Sequence, residues 1–163
     1  MKKDWSKFTK RIPINSTVRS IYNAWAIPSE IEQWFVATAD YSLADGSLRP
    51  KSDRVKAGDN YTWRWHGFPN GAAESGRVIE ANGHNTFRFT FADTCIVEVS
   101  ILAERPDKIV QLTQKKIGPD EQLRLYIGCG EGWTFYLANL KSYLDGGIDL
   151  RNKNEKIKGV INA

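Results

Sequence analysis

The sequence predicts an α+β domain in which an antiparallel sheet curls around a long C-terminal helix, and three observations predict it. Short β-prone segments follow one another between residues 61 and 114, joined by turns too short for parallel crossovers. Residues 119–144 then change period, with apolar side chains three or four positions apart. Finally, a sheet that is apolar mainly on one face must bury it, and this helix is the only element long enough to cover it. The 163 residues, 41% of them apolar, suit a single domain spanning 1–163, with a core over about 8–147 and a polar basic tail over 148–163.

The elements can be justified in chain order. Phe8 to Ile14 alternates as a first strand with Phe8, Ile12 and Ile14 on one face, and Pro13 belongs where no amide hydrogen is needed. Asn15 or Ser16 is expected to cap a helix carrying Val18, Ile21, Tyr22 and Trp25 at helical spacing. Pro28 breaks that helix. Ser29 and Glu32 have capping-box spacing and predict a second, short helix with Ile31, Trp34 and Phe35. A polar stretch from Asp45 to Asn60, with Gly46, Pro50 and Gly58, reads as a loop interrupted at most by a short strand.

Tyr61 to Trp65 sets three aromatic rings on one side of a strand. Gly76–Glu80, Asn85–Phe91, Cys95–Leu102 and Lys108–Gln114 continue the meander, turning at Ala81-Asn82-Gly83 and Arg105-Pro106-Asp107. The predicted order is strand, two helices, about six strands and a long helix. That helix opens at Pro119-Asp120-Glu121 and ends at Asp145-Gly146-Gly147. Leu123, Ile127, Gly130, Leu137, Leu140 and Leu144 form its expected inner stripe, flanked by Tyr126, Trp133 and Tyr143. Gly128, Gly130 and Gly132 disfavour a helix interior by about 1 kcal/mol each. Either the helix starts near Glu131, or it is continuous and a close neighbour needs the missing side chains; the continuous helix is the expectation.

Composition excludes several function classes. No segment approaches the ~20 apolar residues of a membrane span, and the basic start lacks the apolar run of a secretory leader. Two cysteines, Cys95 and Cys129, make no disulfide framework, so a reduced cytoplasmic setting is expected. Net charge is +4, but residues 1–11 carry +4 and residues 150–163 carry +3, leaving −3 for the body. Such end-loaded charge reads as solubilising termini, and no nucleic-acid partner is expected.

Particular residues carry a family likeness. Ile12-Pro-Ile14, Val18-x-x-Ile21-Tyr22-x-Ala24-Trp25 and Ile31-Glu-Gln-Trp34-Phe35 resemble the opening of the START/Bet v 1-like (SRPBCC) superfamily. Gly76-Arg-Val78 and the ending Gly130-Glu-Gly132-Trp133-Thr-Phe-Tyr136-Leu137-x-Asn139-Leu140-Lys141 resemble the branch similar to the activator of Hsp90 ATPase. The resemblance implies a helix-grip fold with a cavity between the concave sheet and the C-terminal helix. It also implies binding of lipids, hormones or polyketides in some members, ring closure or hydration in others, and stimulation of a chaperone ATPase by the eukaryotic namesake. No catalytic set transfers with it. The loop 42–58 and the tail 148–163 depart from a compact member, and a tail that docks on a neighbour would leave the oligomeric state open.

The expected function is binding of a small hydrophobic or aromatic molecule in that cavity. The pocket candidates are Trp34, Trp63, Trp65, Phe87, Phe89, Phe91, Tyr126, Trp133 and Leu137, with His66 and Glu80 as polar groups. The rival is that these rings pack solidly. Two alternatives stand beside ligand binding: a protein-interaction or chaperone-regulating module, and a cavity enzyme in which His66, Glu80 or Tyr126 converge. The chain has no P-loop, dinucleotide-binding glycine pattern or G-x-S-x-G elbow. His66 and His84 lack partners at zinc spacing, so no catalytic residue, metal or cofactor is assigned. Cys95 and Cys129 read as small buried hydrophobes.

Overall fold

Seven strands form one antiparallel sheet in the computed structural model, which describes residues 4–69, 72–104 and 106–160. They are β1 (Phe8–Ile14), β2 (Thr38–Ser42), β3 (Asn60–Arg64), β4 (Glu74–Ala81), β5 (Thr86–Phe91), β6 (Cys95–Glu104) and β7 (Asp107–Lys115). Their spatial order is β1-β7-β6-β5-β4-β3-β2. β2 to β7 therefore run as a meander, and β1 closes the far side by pairing with β7, Ile12 opposite Val110. The expected helix-grip α+β architecture is present, with a curved, unclosed sheet and a long C-terminal helix.

Parity explains which face is buried. Ile14, Leu112, Val97, Val99, Phe87 and Phe89 fall at alternate positions and are almost fully buried, whereas Thr9, Thr113, Glu98 and Arg88 occupy the opposite face. One irregularity strengthens the curl. Val78 pairs with Phe89 and Glu80 with Arg88, so Ile79 is an extra residue, and such a bulge bends its strand and raises the local twist. The predicted turn at 105–107 includes Arg105, which lies outside the described residues.

β2 is the strand that sequence reading left unassigned. Its register against β3 sets Ala39 opposite Trp63 and Tyr41 opposite Tyr61, both pairs buried. The following loop is tightly tied. Arg49 makes a two-pronged ion pair with buried Asp59 at 2.6 and 2.9 Å, and Lys51 bridges Glu32 at 2.6 Å and Asp40 at 2.9 Å. Val55 is buried beneath the first helix and donates its N–H to the Ala26 carbonyl at 2.8 Å.

Helix α1 spans Val18–Ala26 and α2 Pro28–Ile31. Two caps differ from expectation. Thr17, in extended backbone, caps α1 by accepting from the Ser20 N–H at 3.0 Å; neither Asn15 nor Ser16 does, and the Asn15 N–H donates to Asp145 instead. α2 begins at Pro28 itself, which has no amide hydrogen to satisfy, so the Ser29–Glu32 box does not form. Glu32 accepts from the Ala39 N–H and from Lys51.

The C-terminal helix is continuous but not uniform. A 3-10 turn (Pro119–Glu121) leads into a π-helical turn (Gln122–Ile127) and then α3 (Gly128–Leu144). A π turn takes about 4.4 residues, so side chains upstream of α3 rotate away from the α period. Leu123 and Ile127, expected inside, are 77% and 45% exposed, and Leu125 is buried in their stead. Downstream, Gly130, Leu137 and Leu140 of the expected stripe are buried and Leu144 is half-buried, and the flanking Trp133 is buried with them.

The tail also departs from the solubilising role expected of it. Arg151 has a buried guanidinium that donates to the carbonyls of Val36 at 2.9 Å and Gln33 at 2.7 Å and grips Asp149. Buried Asn139 of α3 donates to the Trp34 carbonyl and accepts from the Leu150 N–H. The first residues of the tail thus dock on their own chain and clamp the turn that follows α2.

Candidate functional site

The space between sheet and helix is filled largely by aromatic rings. Phe35 sits at the centre, stacked on Trp133 (centroids 5.1 Å apart) and Trp34 (5.2 Å) and edge-on to Trp63, Trp65 and Tyr136. Such offset and edge contacts are the favoured geometries for ring pairs. Three of the indoles are anchored by their N–H groups: Trp34 to the Ala24 carbonyl, Trp63 to the Tyr41 hydroxyl and Trp133 to Gln114 Oε1. Trp34, Trp63, Phe87, Phe89 and Leu137 are consequently core residues, at most 2% exposed, and they line neither hollow described next.

A hollow remains where the ring packing runs out. A pocket of about 180 Å³ opens between the end of β3, the end of β5 and the start of α3. Phe35, Trp65, Phe91, Trp133 and Tyr136 supply its rings, and Gly128, Cys129 and Gly132 supply its helix side. Three of the nine apolar candidates, Trp65, Phe91 and Trp133, therefore meet there. The glycines matter for volume: a Cβ built on Gly128, Gly130 or Gly132 meets no other atom within 4 Å. A close approach by the sheet is thus not what keeps side chains off this helix face.

The pocket wall carries polar atoms of a restricted kind. Trp65 Nε1 is buried and has no hydrogen-bond partner. The Tyr136 phenol is pushed up by burial and stays protonated. Gln114, fully buried behind Trp133, has an Nε2 without a well-formed hydrogen bond. It lies near enough to the Cys95 and Cys129 thiols to favour their ionised form, but burial outweighs this and raises both, so neither is an activated nucleophile.

A wider open groove of about 840 Å³ lies on the other side of the same helical turn. Tyr126, the fourth candidate to border a hollow, lines it together with Lys10, Glu131, Thr134 and Phe135, and Gly128 and Gly132 line both hollows. Tyr126 also packs edge-on against Trp5 and Phe8.

The polar candidates are dispersed. Glu80 forms an ion pair with Arg88 at 3.3 Å on the face of the sheet opposite Phe87 and Phe89. His66 is half-buried beside the tail, where burial first, then the charges of Arg151 and Lys153, lower its pKa and keep it neutral at pH 7. Neither lines the pocket or the groove, so Glu80 and His66 do not converge there with Tyr126. His84 lies in the exposed Asn82-Gly83 turn. Among the described residues no three His, Cys, Asp or Glu side chains come together as a metal site, and no helix is long and apolar enough to cross a membrane.

Phe35, Tyr136, Cys129 and Lys10 are among the lining residues that sequence reading did not nominate. Phe35 was legible in principle, because it adjoins Trp34 in the same apolar turn; only the geometry after α2 decides which of the two rings faces the hollow.

Comparison with known proteins agrees with this architecture. A protein from Staphylococcus saprophyticus superposes with a TM-score of 0.70 at 17% identity, covering 89% of this chain and 96% of that one. The Aha1 dimer from Colwellia psychrerythraea gives 0.68 at 16% identity, covering 86% and 97%. DynU16, from the dynemicin biosynthetic locus, gives 0.65 at 17% identity, covering 91% of this chain and 50% of its own. At such identities the likeness extends to the fold alone. No curated protein matches the sequence. The sequence profile of the family described as activator of Hsp90 ATPase homolog 1-like protein matches residues 15–145, and the chain belongs to that family.

Proposed function

We propose that this protein binds a small apolar or aromatic molecule, with its ring in the pocket between Phe35, Trp65, Phe91 and Trp133. The observation that carries the reading is a hollow of about 180 Å³ walled by five aromatic rings. A dry apolar cavity of about 150 Å³ is enough to take up benzene, so the hollow suits one small ring system. Dispersion and loss of apolar surface would supply most of the affinity. The buried, unpartnered Trp65 N–H supplies a single directional donor, favouring a ring that presents one acceptor.

Binding without chemistry is the better reading of this pocket. Its polar lining consists of an indole N–H, a raised thiol and a raised phenol, none of them a base or nucleophile near neutrality. Titration of the protein with indole and with benzaldehyde, followed by calorimetry and tryptophan fluorescence, tests the proposal. Saturable one-to-one binding, abolished by Gly132→Leu in a protein that still melts cooperatively, is expected. Unsaturable partitioning, or binding that Gly132→Leu leaves intact, would refute it.

A further inference from the structure

Lys10 is the residue that the ring pocket does not explain. It lies in β1 at the parity of Phe8, Ile12 and Ile14, so a lysine occupies a core-facing register. β1 packs against α3, and Lys10 is half-buried along the groove, which Gly128, Gly130 and Gly132 of α3 also line. Two other half-buried lysines have acidic partners: Lys115 pairs with Glu98, and Lys141 with Asp145. The Lys10 ammonium has no hydrogen bond or ion pair with another described residue. Glu131 is the other charged residue of the groove lining; it is exposed on α3, where solvent screens its repulsion of an anion.

The apolar pocket and the groove containing Lys10 share Gly128 and Gly132, and neither glycine puts a side chain on the border between them. We infer that the ligand is an aromatic acid: its ring enters the pocket, a short tether crosses the Gly128–Gly132 strip, and its carboxylate rests on the Lys10 ammonium in the groove. This rests on the ring-binding reading above and names the chemical class it admits. A charge-assisted hydrogen bond in a partly desolvated groove is about twice as strong as a neutral one, enough for roughly tenfold in affinity.

Calorimetric titration with ω-phenyl carboxylates from phenylacetate to 5-phenylpentanoate, each beside its primary amide, tests the inference. At least one tether length should bind about tenfold more tightly as the acid than as the amide. Lys10→Met should bring that acid down to the level of its amide and leave the amide unchanged, and 0.5 M salt should narrow the gap in the wild type. Equal binding of acids and amides in both proteins would overturn the anionic head while leaving the ring pocket standing. Failure of acids and amides alike to bind would overturn the ring pocket and this inference together. Loss of both in Lys10→Met would assign the lysine to structure alone and equally overturn it.

Discussion

Replacing Gly128, Gly130 and Gly132 together with alanine should stabilise the fold and weaken ring binding at the same time. None of the three has the positive φ that favours glycine, and Gly128 sits at φ −61° and ψ −47°, within the ordinary helical region. No atom obstructs a Cβ at any of them. Each substitution should therefore recover the helix propensity that glycine forfeits, about 0.8–1 kcal/mol, for a total near 2.5–3 kcal/mol. In a domain of this size that corresponds to a rise in Tm of about 5–12 °C. The cost falls on the pocket. A methyl group takes about the volume of a water, ~30 Å³, so the two at 128 and 132 remove about a third of the space. Thermal unfolding by circular dichroism, with indole titration of the same samples, reads both effects. A lower Tm would mean that the glycines serve backbone geometry near the π turn. A higher Tm with unchanged affinity would mean that they have nothing to do with a ligand.

Three further outcomes follow from single residues. A Cβ on Gly76 would come within 2.5 Å of Tyr61 Oη and 2.7 Å of Thr90 Oγ1, displacing a phenol that donates to the Thr90 carbonyl, so Gly76→Ala should destabilise by about 2–3 kcal/mol in urea unfolding; a neutral effect would contradict the packing. Arg151→Met removes a buried guanidinium and leaves the Gln33 and Val36 carbonyls and Asp149 short of donors, at a cost of about 2–4 kcal/mol, with amide exchange quickening at residues 33–36; unchanged exchange there would show that the clamp does not hold the turn. Burial raises the Glu74 carboxyl above its ordinary 4.5 although it accepts from the Ala92 N–H, so the folded state holds the proton more tightly and stability should decline as pH rises above about 4.5; Glu74→Gln should flatten that decline, and an unaltered pH profile would rule the residue out as its source.

Asp149 illustrates the opposite sign. Burial alone would raise it, but hydrogen bonds from Arg151 and Lys153 prevail and hold it well below the usual carboxylate range. Its contribution is therefore present in full above the unfolded value near 3.8 and is lost only as pH falls through the lower folded one. The tail clamp should persist in mild acid, under conditions that already neutralise Glu74.

Much of the fold is legible in the sequence because its strands alternate cleanly. Phe87, Phe89 and Phe91 announce an inner face, and their register against Val99, Val97 and Cys95 follows the pleat. β2 was harder to see, since Thr38-Ala39-Asp40-Tyr41-Ser42 offers one large apolar residue and gains its partner only from the tertiary pairing with β3. The phase of the last helix could not be read either, because a π turn breaks the period on which the reading rests. The site was legible as a surplus of aromatic residues and as glycines where a helix disfavours them. Which rings close on one another, and which stop short, depends on ångström-scale packing that spacing does not encode. The buried role of Arg151 is equally non-local: its partners Gln33 and Val36 precede it by more than 110 residues.

The most direct measurement is an NMR titration of ¹⁵N-indole-labelled protein with benzaldehyde, whose carbonyl can accept from the Trp65 N–H, as the probe. Intermolecular NOEs from the probe to the Gly128 and Gly132 Hα protons and to the Trp65 indole N–H, with that N–H moving downfield as it acquires an acceptor, are the expected result. NOEs confined to the outer face around Arg88 and Glu80, or a Trp65 indole signal that stays in place at saturation, would contradict the account.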